Sequence, residues 1–274
     1  GGGRVVKNVA GYDFCKLLTG SMGTLGVITQ LTLKLKPIPE QRTLVACAVD
    51  SWQTAETLLE GLVQSQTAPV AVELISGSTW LSLAGLPTGG HAPHPGSSWL
   101  LVALEGTQPE VRWMVDQILQ EWRAQSITAA AECTEEQAAA LWSALVEFPA
   151  GESPLVLQAS VVPSATTRMM AAFHEVDADC SLQAHAGSGT VIARFSAFPS
   201  DGLSRALVAH LQPVAVASQG SITILSNPGK TEMTPQCVWG GNTAPFELMS
   251  AVKQKFDPQN LLNPDRFVYR STAS

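Results

Sequence analysis

The sequence predicts an α+β fold in which a mixed or antiparallel sheet carries helices on one face. Hydrophobic residues make up 45% of the 274 residues, so the chain can bury a substantial core and is not intrinsically disordered. Stretches with the period of a strand alternate with stretches that have the period of a helix. These stretches form two successive β-α-β series, although the two halves share no recognisable sequence repeat.

The first strand is predicted before a proline-rich break. Apolar and polar side chains alternate over residues 27–36, which is typical of a half-buried strand. The apolar face is formed by Leu31, Leu33 and Leu35. The prolines at positions 37 and 39 should end the strand, because proline has no N–H to donate to a neighbouring strand. We therefore place a domain boundary near residue 40.

Strands and helices then follow one another to the end of the chain. Strands are predicted over residues 43–49, 70–75, 99–104, 155–162, 181–186, 190–195 and 221–225. Helices are predicted over residues 14–18, 52–63, 111–122, 134–148, 165–176, 202–211 and 246–256. Thr134 and Gln137 have the spacing of a capping box at the start of one of these helices.

Charge and cysteine content narrow the classes of function. The chain has 16 basic and 23 acidic side chains, whereas a nucleic-acid-binding protein would present a basic face. No apolar segment reaches the roughly 20 residues that span a bilayer. The five cysteines are widely spaced, which favours reduced thiols over a metal site or disulfides. We therefore expect a cytoplasmic protein without a transmembrane segment and without nucleic acid as a partner.

The most informative stretch is glycine-rich and lies in the basic opening of the chain. Gly20, Gly23 and Gly26 recur at every third position, so the backbone can approach a ligand closely. Ser21 and Thr24 add hydroxyl donors, and free backbone N–H groups in such a turn can bind phosphate oxygens. The spacing differs from that of the G-x-G-x-x-G fingerprint, and a plain tight turn is the alternative interpretation.

A second stretch, K-N-V-A-G-Y-D at positions 7–13, precedes the glycines. Lys7 supplies a cation for an anionic ligand, while Asn8 and Asp13 can hold a turn or a hydroxyl group. A capped loop before the helix at residues 14–18 is an equally good interpretation of the stretch by itself.

Together, residues 4–29 closely resemble the second half of an FAD-binding domain of the PCMH type. This domain belongs to the FAD-linked oxidases related to vanillyl-alcohol oxidase and p-cresol methylhydroxylase, and the likeness is strongest to the FAD-binding subunits of bacterial glycolate oxidases. Residues 256–266, F-D-P-Q-N-L-L-N-P-D-R, resemble the closing motif of the same family, with Asp265 in place of its usual glycine.

The resemblance implies a flavoprotein that uses FAD to oxidise a small 2-hydroxy acid such as glycolate. It also implies two partners, a homologous catalytic flavoprotein subunit and an iron–sulfur subunit, which would attach a cytoplasmic protein to the periphery of the inner membrane. A non-catalytic assembly subunit of such a complex and an FAD-linked D-lactate-type dehydrogenase are the alternatives.

The resemblance also assigns cofactor contacts to individual residues. The glycine turn would lie along the FAD pyrophosphate, Val27 and Ile28 would offer backbone groups to the cofactor, and Asn263 would bring the C-terminal segment towards the flavin. The remaining residues implied to line this cleft are Lys7, Asn8, Gly11, Tyr12 and Asp13.

Catalytic candidates come from H-A-G-S-G-T-V-I at positions 185–192. Catalytic members of the family often carry H-x-G-D-G-N-x-H, in which two histidines help hold a metal. Here Ser188, Thr190 and Ile192 replace the Asp, the Asn and the second His, and one imidazole does not make such a metal site. His185 as a general base and Arg194 as an anchor for a carboxylate are the candidates, against a structural histidine and an ordinary surface arginine.

These expectations give a domain plan. Residues 1–40 would be the distal part of an FAD-binding domain, residues 41–240 the cap or substrate domain, and residues 241–274 a C-terminal return to the FAD domain. The opening Gly1-Gly2-Gly3 is interpreted as a cut through a domain, so this chain alone should hold FAD weakly or not at all.

Overall fold

The structure is a computed structural model that describes residues 11–83, 86–87, 94, 96–229, 232–234, 236–237 and 244–264. The chain divides into two compact units. One contains residues 1–38 and 239–274, and the other contains residues 39–238. The predicted contributions of Lys7, Asn8 and Asp265 lie outside the described residues.

The larger unit is built on one antiparallel sheet of eight strands. Its strands are β1 Gln41–Val49, β2 Ala71–Ser76, β3 Ser98–Gly106, β4 Ala130–Glu132, β5 Val156–Ser160, β6 Ser181–His185, β7 Thr190–Arg194 and β8 Ser221–Ser226. They lie in the order β4-β1-β3-β2-β6-β7-β5-β8, which is one four-strand pattern used twice. The two halves meet where β2 pairs with β6.

Helices cover the sheet and complete the smaller unit. They are α1 Phe14–Leu18, α2 Trp52–Gln64, α3 Gln108–Ala124, α4 Glu135–Glu147, α5 Thr166–Val176, α6 Gln212–Ala217 and α7 Ala244–Phe256, with a π-helical segment at Arg205–Leu211 before α6. Apolar side chains of α2, α3, α5 and α6 pack on the same sheet face and form the main core. The predicted α+β class, with an antiparallel sheet and helices against it, is confirmed.

One helix departs from the predicted placement of all helices on one face. The side chains of Leu141 and Leu145 in α4 pack with Leu44, Ala46 and other residues of the opposite sheet face. This helix connects the two halves of the sheet and does not cross over between strands of one half. The predicted capping box is confirmed, since Thr134 and Gln137 each accept a hydrogen bond from the other's backbone N–H.

The strand predicted over residues 27–36 is wrong. These residues have no strand structure, and the side chains of Leu31, Leu33 and Leu35 are 69%, 70% and 82% exposed. A strand needs a neighbour to accept and donate its backbone hydrogen bonds, and no strand of the described residues pairs with this segment. The alternating side chains of residues 27–36 therefore form an apolar face that the described part of the chain does not cover.

Candidate functional site

The glycine-rich turn depends on backbone conformations that favour glycine. Gly20 and Gly23 have φ angles of 80° and 71°, in the left-handed region where a side chain is disfavoured. Met22 between them also has a positive φ of 52°. The left-handed conformations explain why glycine stands at positions 20 and 23, whereas Gly26 is not among the residues with a positive φ.

The turn leaves backbone N–H groups available to a ligand. The N–H groups of Met22, Gly23 and Gly26 donate to no acceptor among the residues that the structure describes. No described atom lies within 4 Å of the position that a Cβ would take at Gly20 or Gly26. Open N–H groups beside open space are the arrangement that binds phosphate oxygens, so the residues present fit an FAD pyrophosphate.

The two hydroxyl groups of the turn have different surroundings. The Thr24 hydroxyl donates to the Ser21 carbonyl oxygen at 2.6 Å, and the Thr24 N–H donates to the same oxygen at 3.0 Å. Thr24 is buried, whereas Ser21 is partly exposed. Thr24 therefore stabilises the turn from inside, and Ser21 is the hydroxyl that remains near the surface.

The C-terminal segment contacts the glycine turn at two points. The Asn263 side chain donates from Nδ2 to the Met22 carbonyl oxygen at 2.7 Å. The Lys253 ammonium, on α7, donates to the Thr24 carbonyl oxygen at 2.8 Å. The structure thus brings Asn263 onto the turn, together with a lysine that the sequence analysis did not single out.

The other residues expected near the cofactor lie at the surface. Asp13 caps α1 by accepting the Lys16 N–H at 3.2 Å, and its carboxylate also pairs with the Lys16 ammonium at 3.5 Å. Tyr12 is 88% exposed and its ring contacts Phe14 edge-on, while Val27 and Ile28 are also exposed. Gly11 has a φ of 87° and open space at its Cβ position.

A second polar cluster lies on the sheet face opposite the main core. Glu73 in β2 is directly opposite His185 in β6, and strand alternation turns both away from the helices of that core. His185 Nδ1 lies 2.7 Å from Glu73 Oε1. The Glu73 side chain is 7% exposed and the His185 side chain 41% exposed. The hydrogen bond that His185 donates to the Glu73 carboxylate raises the pKa of His185 above its usual value, although partial burial opposes the shift.

Gln183 completes this cluster from the same strand as His185. Its Nε2 donates to the second Glu73 oxygen at 3.2 Å, so the buried carboxylate has a partner on each oxygen. Its own Oε1 is buried and receives no hydrogen bond from the described residues. A buried acceptor without a donor is costly, by about 1–3 kcal/mol, so a ligand or water donor at this atom would be favourable.

Arg194 is not brought together with His185. It lies on the same sheet face, but it is four residues along β7 from Thr190, the direct neighbour of His185. That offset corresponds to about 13 Å at roughly 3.3 Å per residue. The guanidinium donates from Nη2 to the Glu152 carbonyl oxygen at 2.6 Å and lies 5.3 Å from the centre of the Phe148 ring. Burial lowers the pKa of Arg194.

The described residues contain neither a cluster of metal-ligating side chains nor a helix that could span a membrane. In those ranges, no three His, Cys, Asp or Glu side chains converge as metal ligands would. None of the described helices combines the length and apolar character that a bilayer crossing requires.

Three residues important to these clusters escaped the sequence analysis. Glu73 and Gln183 lie within stretches recognised only as strands, and their pairing depends on a register that links residues 110 apart. Lys253 lies within a stretch that the sequence predicts only as a helix. The signal that could have found it is the i, i+4 spacing to Asp257, which places the two charges on one side of the helix.

Comparisons with known proteins are consistent with this geometry. The family described as FAD linked oxidases, C-terminal domain, matches residues 38–267. Among curated relatives, the glycolate oxidase subunit GlcD of Bacillus subtilis is 28% identical over 97% of this chain and 59% of its own length. The mitochondrial cytochrome-dependent D-lactate dehydrogenase of Arabidopsis thaliana is 25% identical over 97% of this chain and 49% of its own length.

A shorter match and a solved structure extend the comparison. The glycolate oxidase subunit GlcE of Escherichia coli is 33% identical over 31% of this chain and 24% of its own length. A solved alkyldihydroxyacetonephosphate synthase, 14% identical, covers 94% of this chain and 50% of its own with a TM-score of 0.54, which shows a shared fold. The chain thus spans about half to three-fifths of the length of the GlcD and D-lactate dehydrogenase relatives.

Proposed function

The chain belongs to the FAD linked oxidases, a family that uses FAD, and from that membership we propose that it is part of the FAD-binding subunit of a glycolate oxidase-like complex. The complex oxidises a small 2-hydroxy acid at its CH–OH group. The observation that carries the proposal is the family match over residues 38–267, combined with relatives named for glycolate and D-lactate oxidation.

The glycine turn is the proposed contact with the FAD pyrophosphate. The N–H groups of Met22, Gly23 and Gly26, which have no acceptor among the described residues, would donate to phosphate oxygens, while Asn263 holds the turn from the side of the C-terminal segment. When bound, FAD supplies the acceptor for the hydrogen that leaves the hydroxyl-bearing carbon. The remaining chemistry required of the protein is to bind the substrate and to accept the hydroxyl proton.

His185 is the proposed proton acceptor. With Nδ1–H donated to the Glu73 carboxylate, a neutral imidazole presents Nε2 with a free lone pair. The hydroxyl O–H bond of the substrate breaks as its proton passes to Nε2, and Glu73 stabilises the imidazolium that forms. Gln183 keeps Glu73 in place through its second oxygen.

A non-catalytic assembly subunit is the second candidate. Ser188, Thr190 and Ile192 stand where catalytic relatives carry acidic, amide and histidine side chains, which favours a supporting role. An FAD-linked D-lactate-type dehydrogenase is the alternative among enzymes, supported by the plant relative. The proposed homologous catalytic flavoprotein partner draws support from the matches to two different glycolate oxidase subunits. The proposed iron–sulfur subunit follows from the family resemblance alone. A cytoplasmic location at the periphery of the inner membrane is part of the same proposal.

The test uses the protein at its full natural length. We expect flavin absorbance in the purified protein and bleaching of that absorbance by glycolate or D-lactate without oxygen, with the faster of the two identifying the substrate. His185→Gln should slow bleaching by a factor of about 10² or more without loss of flavin. His210→Gln, at an exposed position, is the matched control. A colourless protein that restores activity only when its partners are added would overturn the enzymatic proposal in favour of assembly.

A further inference from the structure

A buried ammonium group lies beneath the glycine turn. Lys253 is 7% exposed, which is unusual for lysine, because its charge loses hydration when it is buried. Its Nζ donates to the Thr24 carbonyl oxygen at 2.8 Å, to Asp257 Oδ2 at 2.6 Å and to the Leu262 carbonyl oxygen at 2.7 Å. A lysine ammonium has three N–H donors, so all of them are used.

These three acceptors come from separate parts of the smaller unit. Thr24 lies within the glycine turn, Asp257 follows the last residue of α7, and Leu262 lies five residues further along the segment after that helix. Each acceptor is held within hydrogen-bond distance of one atom, Lys253 Nζ. Lys253 therefore fixes the distance between the turn and the C-terminal segment more directly than any apolar contact would, since hydrogen bonds are directional.

Asp257 balances the buried charge and shapes the same segment. Its two carboxylate oxygens accept the Leu261 N–H at 3.0 Å and the Leu262 N–H at 2.7 Å. The hydrogen bond from Lys253 lowers the pKa of Asp257 to about 2, so the carboxylate stays ionised at neutral pH. The pair is therefore charge-neutral as a unit, and its hydrogen bonds are internal.

From this arrangement we infer that Lys253 is a positioning residue for the cofactor-binding turn: it holds the N–H groups of residues 22–26 in place without itself contacting phosphate. The inference rests on the proposed binding of FAD at the turn. Because every Nζ proton has an internal acceptor, none remains for a phosphate oxygen. Lys253 acts through the Thr24 carbonyl group and through the segment that carries Asn263.

The experiment measures FAD binding by the full-length protein and its Lys253→Met variant. We expect binding to weaken by at least about tenfold, since loss of one well-placed charge-assisted hydrogen bond corresponds to roughly that factor. Lys255→Met removes the same charge from an exposed position on the same helix and should change binding by no more than about twofold. Unchanged binding in Lys253→Met would overturn the inference.

The dependence on salt separates positioning from direct contact. A lysine that bound phosphate would add to the ionic-strength dependence of FAD binding, and its removal would reduce that dependence. We expect FAD binding to depend on salt concentration to the same degree in wild type and in Lys253→Met, with the variant binding more weakly at every concentration. A reduced dependence in the variant would show a direct phosphate contact and overturn the positioning role.

A double variant separates positioning from general stability. Lys253→Met with Asp257→Asn leaves no unpaired buried charge and should recover part of the thermal stability that Lys253→Met loses. Its FAD binding should stay weak, because the Thr24 carbonyl oxygen still lacks its donor. Recovery of FAD binding together with stability would reduce Lys253 to a purely structural residue and overturn the inference.

Hydrogen exchange at the Thr24 amide tests the same contact without FAD. Exchange should accelerate in Lys253→Met while the amides of α7 stay protected, because the bond from Thr24 N–H to Ser21 depends on the position of the turn. A wild-type protein that binds no flavin would overturn the proposed function. In that case, unchanged Thr24 exchange in the variant would separately overturn the positioning role.

Discussion

Gly26→Val is the sharpest test of the proposed placement of the FAD pyrophosphate at the glycine turn. Gly26 has an ordinary backbone φ and no described atom within 4 Å of its Cβ position, so a side chain fits the protein itself. Gly23 is a poorer choice, because its φ of 71° and the Asn263 Nδ2 atom 3.0 Å from its Cβ position would strain any substitution. Valine at position 26 should therefore block a ligand without disturbing the fold.

The expected magnitude follows from the hydrogen bond that the side chain would prevent. A hydrogen bond to a charged phosphate contributes about 1.5–3 kcal/mol, which corresponds to a loss of about 10- to 150-fold in FAD affinity. The free energy of unfolding should change by no more than about 1 kcal/mol, since replacing an unstrained glycine restricts mainly the unfolded chain.

The assay is titration of flavin-free, full-length protein with FAD, followed by thermal unfolding of each variant. Gly187→Val, at an exposed glycine that also has open space around its Cβ position, is the control and should bind FAD as wild type does. Wild-type affinity in Gly26→Val would refute the placement of the pyrophosphate at this turn. Weaker affinity together with a large loss of stability would refute the claim that the Gly26 position is open.

Two further predictions concern the sheet. Glu73→Gln should move the rising limb of the pH–kcat/KM profile to lower pH. His185 accepts a proton only when it is neutral, and loss of the Glu73 carboxylate lowers the raised pKa of His185. A limb at the same pH in the variant would exclude His185 as the titrating base. Arg194→Gln should lower the free energy of unfolding, measured by urea denaturation, by about 1–3 kcal/mol. The variant loses the hydrogen bond to the Glu152 carbonyl oxygen and the contact with the Phe148 ring. An increase in KM at unchanged stability would instead support Arg194 as an anchor for a carboxylate.

The elements of the larger unit were largely predictable, because their signals are local. The capping box at Thr134 fixes the start of α4 from four consecutive positions, and the strand at Gln41–Val49 follows from a continuous apolar run. The short strand Ala130–Glu132 was missed, since three residues carry no period and its pairing with β1 is set by tertiary contacts. The exposed segment at residues 27–36 shows the converse, a clear period with no paired strand among the residues that the structure describes.

The polar clusters were less predictable than the elements that carry them. Glycine spacing pointed to the turn because backbone conformation restricts residue type locally. The roles of Glu73 and Lys253 depend on partners far away in the chain, at His185 and Thr24 respectively. Strand register and helix docking determine which distant residues pair, and the residue spacing in a single sequence predicts neither of them.

The repeated four-strand pattern has a consequence for the order of folding. Every strand of one half comes from residues 41–132 and every strand of the other from residues 156–226, so the strands within each half pair over smaller sequence separations than β2 and β6 do. Among the strand pairings of the described residues, only that of β2 with β6 joins the halves, and this seam holds the contact between Glu73 and His185 across 112 residues. Because long loops close slowly, we expect this contact to form after the secondary structure of both halves. During refolding, the titration of His185 should therefore reach its native pKa later than the helices reach their native content, so the imidazole reports when the two halves have joined.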